Sequence, residues 1–442
     1  MAAYSAGRAA ADAGRALQVV VLEKMPRPGR KIMITGKGRC NFTNVKSWNE
    51  FSGHVQSKSN FVKSAFYGLD SQGVVDFFEG FGMKTVVERG DRAFPASYHS
   101  SDVVDTLVSA CHSVGVKIEC ESEVSDIEFG GSSFKLTMAD GVSWLCSKLI
   151  IATGGLSYPT TGSTGDGLKW AAVAGHKISQ TFPALTALVP KRYKLDPEEP
   201  VQKSRKKSSF INRETPLSEL GQSLCGIQLK NVQATLFVDG NEARSEFGDI
   251  DFTDGGIEGP IGFTVSRNCV KAIINGGKAR ITVDMKPGVE ADELKGRVKG
   301  IWNDIQRDPR SRKMSLKEML KILLGKLMPW DLIPGFTRCN PDVLTGRRGN
   351  EHIDMDALVS ALKEWKFDIE GYVGYERCVV TAGGVSTDEV IAKTMESRLR
   401  KGLYLCGEVL DIDSDTGGYN LQTAFSTGYL AGQNAAKAAL QE

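Results

Sequence analysis

Buried strands that end at polar or glycine turns are predicted near both ends of this 442-residue chain. The middle of the chain instead shows alternating strands and then apolar residues at helical spacing. At the start, the apolar run 17–22 follows an alanine-rich segment and ends at Glu23, as in the second half of a βαβ unit. At the end, the strands predicted at 378–382 and 403–406 run into Gly-Gly and Gly-Glu turns. Because both ends carry an α/β pattern, we expect them to fold into one discontinuous domain.

Residues 1–16 allow two interpretations. They contain arginine and many alanines, with Asp12 as the one acidic residue, which is typical of a transit peptide. Their alanine-rich face is also typical of a helix that packs closely on a sheet. Gly14 and the apolar strand after it favour the helix.

The middle of the chain divides into two further parts. Alternating sequences in 186–285 predict half-buried antiparallel strands, and apolar residues at helical spacing in 286–365 predict a helical insert, with Ser315 as an N-cap. The first domain would then comprise 1–185 and 366–442. Two or three domains also fit the chain length.

Charge and composition argue against several classes of partner. The formal net charge of +2 gives no reason to expect nucleic acid or an anionic membrane, and no run of 18 apolar residues suggests a membrane span. The basic segment 203–207 could bind nucleic acid or a membrane surface, but without interleaved aromatic residues a solvated loop is the better interpretation.

Cysteine and histidine spacing predicts no metal site. The nine cysteines include no CxxC pair, so we expect reduced thiols and a cytoplasmic protein. The histidines fit no metal-ligand spacing, and His176 fits a helix cap better than a catalytic role.

The loop 29–44 is the most informative segment. It interleaves four cations with three glycines and small polar residues, a mixture suited to a pyrophosphate or another anion. A solvated basic loop is the alternative, but the apolar residues 32–34 and Phe42 prefer burial.

Two other positions suit a dinucleotide. Glu23, at the end of its strand, could accept hydrogen bonds from ribose hydroxyls, although acidic residues end many strands. Gly417 and Gly418 precede the last predicted helix, whose N-terminal N–H groups could face the carbonyl edge of an isoalloxazine.

Four long motifs carry a specific resemblance: GRKIMITGKGRCNFTN, IATGGLSYPTTGSTGDG, TAGGV and GLYLCGEVLDIDSDTGGYNLQTAFSTGYLAG. The chain resembles a bacterial family of FAD-dependent flavoprotein oxidoreductases that includes aminoacetone oxidase-like and bile-acid 3-dehydro-reductase-like enzymes. The resemblance runs from residue 1 to the C-terminus and is weakest in 191–222. It implies an α/β fold: a discontinuous Rossmann-like FAD-binding domain, an inserted β-barrel-like domain and a small helical domain.

The resemblance also implies a set of FAD-binding residues. Those on the adenosine and diphosphate side would be Glu23 at the ribose, Val124 at the adenine, the turn Thr153, Gly154, Gly155, and the pair Gly407, Glu408 near the ribityl chain or diphosphate. Those lining the pyrophosphate and flavin would be Arg30, Lys31, Arg39, Cys40 and Asn41, with Gly417, Gly418, Asn420 and Leu421 at the isoalloxazine carbonyl edge.

The chain departs from the family pattern in two places. Family members begin with a hydrophobic strand and a G-x-G-x-x-G loop before the helix that here begins at Met1, and no such element occurs elsewhere in the sequence. Either the chain starts at an internal methionine of a longer protein, or it is a cofactor-impaired truncated paralogue or a non-enzymatic binding remnant. The second departure is the acidic version of segment 254–260, a position that bears on the substrate.

The predicted function is an FAD enzyme that transfers a hydride or electron pair between the flavin and a small organic substrate, with NAD(P)H as a candidate electron donor. Neither substrate, oligomeric state nor catalytic acid or base is assigned. Cys40 is a candidate by position, and a small buried thiol is the alternative role.

Overall fold

The computed structural model describes residues 1–131, 133–195, 210–212, 214–346 and 351–442. The basic segment 203–207, predicted to be a solvated loop, lies outside the described residues. The chain forms two compact units: one comprises Met1–Pro183 with Val379–Glu442, and the other comprises Ala184–Cys378. Within the described ranges, no helix combines the length and apolar character needed to cross a bilayer.

The helices are, in chain order, α1 Ala2–Asp12, α2 Arg30–Ile34, α3 Trp48–Phe51, α4 Ser59–Gly68, α5 Ser71–Gly80, α6 Ser100–Ser113, α7 Asp166–Val173, α8 Glu219–Leu224, α9 Gly259–Ile274, α10 Ala291–Arg307, α11 Leu316–Gly325, α12 Ile333–Cys339, α13 Met355–Lys363 and α14 Tyr419–Leu440.

The strands are β1 Val20–Leu22, β2 Thr43–Asn44, β3 Thr85–Glu88, β4 Arg92–Pro95, β5 Lys117–Glu119, β6 Val124–Phe129, β7 Phe134–Met138, β8 Ser143–Cys146, β9 Leu149–Ile151, β10 Ile178–Ala184, β11 Leu188–Pro190, β12 Gln228–Val238, β13 Asn241–Thr253, β14 Gly256–Glu258, β15 Ala279–Asp284, β16 Leu344–Thr345, β17 His352–Ile353, β18 Trp365–Tyr372, β19 Val380–Val385 and β20 Leu403–Leu405.

Parallel strand pairs organise the first unit. β1 pairs with β5, and β9 pairs with β20 although some 250 residues separate them along the chain. Two antiparallel three-stranded sheets, β2-β4-β3 and β6-β7-β8, and the pair β10-β19 complete its strands. The parallel strands end at Glu23, at the Thr153 turn and at Cys406, so their carboxyl ends carry the polar turns predicted from the sequence.

The two terminal helices pack closely because small residues line their contact. A Cβ added to Gly432 on α14 would lie 2.0 Å from the Ala2 carbonyl oxygen. The Ser5 hydroxyl on α1 also donates a hydrogen bond of 2.8 Å to the Tyr429 carbonyl. The helical interpretation of the N-terminal segment is thereby confirmed for residues 2–12.

A closed six-stranded barrel, in the order β11-β14-β13-β12-β15-β18, forms the centre of the second unit. Alternate residues of β12 are buried, so apolar side chains fill the interior as the alternating sequence predicts. The β12–β13 hairpin turns at Asp239 and Gly240, both with positive φ, as a two-residue hairpin turn requires. The predicted α/β class with an inserted barrel is confirmed.

The domain boundary at residue 366 needs correction. It falls inside β18, whose backbone pairs with β15 and β11 and therefore belongs to the barrel. Helices α10–α13 lie in the same compact unit as the barrel. Within them, Ser315 caps α11 as predicted, forming a capping box with Glu318.

Candidate cofactor site

A polar network joins four segments of the first unit. The Lys31 ammonium on α2 lies 2.5 Å from Glu408 Oε2 and also donates to the Ser157 hydroxyl. The Ser157 hydroxyl donates to Glu408 Oε1 at 2.7 Å, and the Thr381 backbone N–H donates to the same oxygen at 2.7 Å. About a fifth of each charged side chain in the pair is exposed, 24% for Lys31 and 19% for Glu408, so the charges can still meet a ligand.

Glycine is required beside this network. A Cβ on Gly155 would lie 2.6 Å from Thr381 Oγ1 and 3.2 Å from Glu408 Oε1. The Thr381 hydroxyl oxygen in turn accepts hydrogen bonds from the N–H groups of Leu156 and Ser157. The predicted residues Gly155, Lys31 and Glu408 thus meet at one place.

Ser157 and Thr381 were not predicted as site residues. Both lie in motifs that carried the family resemblance, IATGGLSYP and TAGGV. A hydroxyl residue next to a glycine turn was the signal that could have identified them, since such turns bring backbone close to ligands.

Glu23 lies at the carboxyl end of β1, where burial raises the pKa of its carboxyl. Its Oε1 accepts a hydrogen bond from the Met25 N–H at 2.9 Å, and Arg30 contributes a favourable charge interaction that opposes the rise. The Glu23 carbonyl accepts the Ser122 N–H at 2.9 Å, which brings the start of the strand containing Val124 beside it.

Lys24, the residue after Glu23, links the end of β1 to the region of the Thr153–Gly155 turn. Lys24 Nζ lies 2.6 Å from Oδ2 of Asp166, the first residue of α7, which follows the turn in the sequence. A Cβ on Gly167 would lie 2.1 Å from Thr153 Oγ1. The adenosine-side residues predicted from the sequence therefore cluster at one end of the parallel strands.

The glycine pair before α14 contacts the loop 41–44. Gly417 and Gly418 have φ values of 119° and 95°, and a Cβ on Gly418 would lie 2.5 Å from the Thr43 carbonyl carbon and 2.9 Å from Asn41 Oδ1. The Asn44 side-chain amide donates to the Gly417 carbonyl at 3.2 Å. Segments more than 370 residues apart therefore meet at this turn, as the proposed site requires.

Four buried polar atoms around this turn have no hydrogen-bond partner among the residues that the structure describes. They are Asn41 Oδ1, Asn44 Oδ1, Ser414 Oγ and Thr423 Oγ1. A buried polar atom without a partner is costly, so such atoms need an explanation wherever they cluster. The carbonyl edge of an isoalloxazine carries an N–H donor and carbonyl acceptors, the two kinds of partner that amide and hydroxyl oxygens of this sort take.

Asn420 and Leu421 stabilise the turn in different ways. Asn420 Oδ1 accepts the Ser414 N–H at 2.9 Å, and its amide donates to the carbonyls of Ser414 and Asp415. Leu421 packs against the apolar cluster that includes Cys40. The Asn420 side chain therefore orders the segment before the helix.

Cys40 is buried, and burial raises the pKa of its thiol to about 11. Its backbone φ is 53°, a conformation that side-chain-bearing residues rarely adopt. The residue is therefore a neutral thiol at neutral pH, which fits the packing role better than that of a nucleophile.

Arg39 and Arg30 stand apart from the polar network. Arg39 Nη2 lies 2.6 Å from Glu88 Oε1, and the guanidinium stacks 4.3 Å over the Tyr98 ring and 4.7 Å over the Phe94 ring. Arg30 is exposed at the start of α2. A contact of either residue with a cofactor stays a prediction.

The His176 side chain is buried and bonded within the fold. Its Nε2 lies 2.8 Å from the Ser397 hydroxyl, and its Nδ1 lies 3.3 Å from Glu389 Oε2. Its backbone N–H closes the end of α7 by donating to the Ala171 carbonyl. Within the part of the chain that the structure describes, no group of three or more potential metal ligands is found.

Comparison with known proteins gives a family match over nearly the whole chain. The HI0933-like protein Rossmann domain family matches residues 1–434. A 3-dehydro-bile acid delta(4,6)-reductase from Clostridium scindens is 30% identical over 438 residues, covering 99% of this chain and 96% of that protein.

Two further relatives carry a different name. A ribosomal RNA dihydrouridine synthase from Escherichia coli is 29% identical and covers 96% of this chain and 93% of that protein. Its namesake from Haemophilus influenzae is 28% identical, with 93% and 90% covered. The resemblance drawn from the four motifs is confirmed, and the chain belongs to the HI0933-like family of Rossmann-domain flavoproteins.

Proposed function

We propose that this protein is an FAD-dependent oxidoreductase that transfers a hydride or electron pair between the flavin and an organic substrate. The observation that carries the proposal is the meeting of Lys31, Gly155 and Glu408 in one network, and of Asn41 with Gly418 at the start of α14. A flavin, when bound, supplies the redox chemistry, while the protein supplies binding and orientation.

The residues of the site divide the binding between them. Glu23 would accept hydrogen bonds from the ribose hydroxyls. Lys31 would provide positive charge for the diphosphate, together with Arg30, which lies near Glu23. Ser157 and Glu408 would bond hydroxyl groups of the ribityl chain. The N-terminus of α14 would favour negative charge at the carbonyl edge of the ring.

The names of the relatives support a substrate class. A bile acid delta(4,6)-reductase and a dihydrouridine synthase both reduce a carbon–carbon double bond conjugated to a carbonyl. We therefore propose the same bond type for this chain: a hydride adds to the β-carbon and a proton to the α-carbon, so the substrate gains two electrons. NAD(P)H in the cytoplasm is the proposed source of those electrons.

The first test is flavin binding. The purified chain is mixed with excess FAD and desalted, and its visible flavin absorbance is recorded. We expect the wild-type chain to retain flavin absorbance after desalting. The Lys31→Met variant should bind FAD about tenfold more weakly, because one charge-assisted contact is lost. Lys135→Met is the matched control, since Lys135 pairs with Glu128 on an exposed hairpin. A wild-type chain that stays colourless would refute FAD binding by this chain.

A second candidate substrate is ribosomal RNA, favoured by the two dihydrouridine synthase relatives. It would replace the prediction of a small-molecule substrate and of no nucleic-acid partner. Anaerobic assays with the reduced protein distinguish the candidates: one receives a conjugated steroid ketone, the other ribosomal RNA lacking dihydrouridine. Conversion of only one of them identifies the class.

A further inference from the structure

A short segment, residues 54–57, runs beside the residues that precede the glycine pair of α14. Val55 and Ser414 form an antiparallel β-bridge. The Gln56 N–H donates to the Asp413 carbonyl at 2.9 Å, and the Asp415 N–H donates to the His54 carbonyl at 2.9 Å. Backbone hydrogen bonds therefore fix the position of residues 413–415, which lead to Gly417.

Side chains add to the contact between segments 54–57 and 413–415 at the residue nearest the glycines, Asp415. The Asp415 carboxylate accepts the Gln56 amide at 2.7 Å and lies 3.1 Å from His54 Nδ1. The His54 ring stacks on the Tyr419 ring, with the centroids 4.2 Å apart and an angle of 19° between the planes. Tyr419 is buried and is the first residue of α14.

His54 thus contacts the chain on both sides of the glycine turn, at Asp415 before it and at Tyr419 after it. Both glycines have positive φ, and a Gly-Gly pair has the largest conformational freedom in the unfolded or loosened chain. A turn with that freedom needs anchors on both sides to keep one geometry. His54 contacts both anchors from a separate segment, in addition to the bonds that Asn420 makes across the turn.

We propose that His54, acting with Asp415, is a positioning residue that holds the Gly417–Gly418 turn in the geometry that binds the flavin ring. This inference rests on the proposed FAD function. It assigns a role to a histidine that the sequence left without one, because its partners lie some 360 residues away. His54 itself does not take part in the redox step.

Two variants weaken the contact between His54 and Asp415, one from each side. His54→Phe keeps an aromatic ring on Tyr419 and removes the bond to Asp415, whereas Asp415→Asn keeps the side-chain shape and removes the charge. Asp388→Asn is the matched control, because Asp388 pairs with Lys58 on the exposed surface. Each protein is examined in the full chain, first without and then with FAD.

Hydrogen exchange in 411–418 is measured in the flavin-free chain. We expect faster exchange in His54→Phe and Asp415→Asn and wild-type exchange in Asp388→Asn, since only the first two loosen the turn. With FAD, we expect the first two to bind about threefold to tenfold more weakly. Their bound flavin should also have a lower reduction potential, because a loosened helix N-terminus stabilises the reduced ring less.

The potential distinguishes positioning from a structural role. If His54 only stabilised the fold, His54→Phe would lower the unfolding midpoint and leave the reduction potential of the bound flavin unchanged. That result would overturn the proposal. Wild-type exchange in His54→Phe would overturn it as well. A wild-type chain without FAD binding would instead refute the proposed function, and the exchange data would still report whether His54 orders the turn.

Discussion

The cofactor site of the first unit and the barrel of the second are held together by different kinds of contact. The barrel encloses aliphatic side chains such as Leu236 and Ile281, both fully buried, on strands joined by a short hairpin or by antiparallel pairing. The cofactor site joins charged and hydroxyl side chains from segments up to 377 residues apart, at backbone approaches that exclude a Cβ.

This difference indicates which property each region controls. Apolar packing is non-directional, so a truncated side chain in the barrel costs stability without removing a ligand contact. The cofactor site depends on particular partners and on glycines that cannot be replaced. We therefore expect substitutions in the barrel to change the free energy of unfolding, and substitutions in the site to change FAD affinity.

The largest expected effect is in the barrel. Leu236→Ala should lower the free energy of unfolding of the second unit by about 4 kcal/mol, because a fully buried leucine leaves a cavity. Urea unfolding measures this, and FAD titration of the same variant should give the wild-type affinity. A large loss of FAD affinity in the folded variant would contradict the expectation that the barrel controls stability alone.

Gly418→Ala should have the largest effect on affinity, about a hundredfold weaker FAD binding, or roughly 2.7 kcal/mol. Its Cβ would meet the Thr43 backbone, so the turn must shift. Gly82→Ala is the control: φ is 86° there, close to the 95° of Gly418, but the space around it is open. Wild-type affinity in Gly418→Ala would contradict the prediction, and an equal loss of affinity in both variants would show that backbone strain, rather than the close approach, determines binding.

A smaller effect should appear as pH dependence of the stability of the first unit. Burial lowers the pKa of His176 below its ordinary 6.5, so the folded protein favours the neutral imidazole. The unfolded chain then binds the proton more readily, and stability is present above about pH 6.5 and is lost as the pH falls below that value.

Urea midpoints at about pH 7.5 and about pH 5.5 measure the His176 contribution. The difference between them should be smaller in His176→Gln than in the wild type. In the second unit, His352 is exposed, and His352→Gln should leave the difference unchanged. An unchanged difference in His176→Gln would show that burial of this histidine carries no pH dependence.

Much of the secondary structure could be predicted, and the errors have local causes. The sequence shows a helical pattern near 60–81, and the structure divides it into two helices, α4 and α5, because Asp70 caps the second one by accepting the Gly73 N–H at 2.7 Å. The alternating pattern of 186–285 predicts antiparallel strands but does not mark where β13 begins, because the first half of that strand, 241–246, is polar and mostly exposed.

The candidate site was predictable where glycine was the signal. Gly155 and Gly418 were identified from their motifs, and both prove to be positions where a side chain has no room. Ser157 and Thr381 were missed although each lies near a glycine turn, and His54 was missed because nothing near it in sequence reveals its partners.

The sequence by itself determined the period of each strand and helix and the places where the backbone must turn sharply, because these depend on neighbours within a few residues. Only the tertiary structure decided that Lys31 meets Glu408, that Arg39 pairs with Glu88, and that His54 reaches Asp415. A side chain's polar partner is whichever group the folded chain brings within about 3 Å, and distance along the sequence carries little information about that choice.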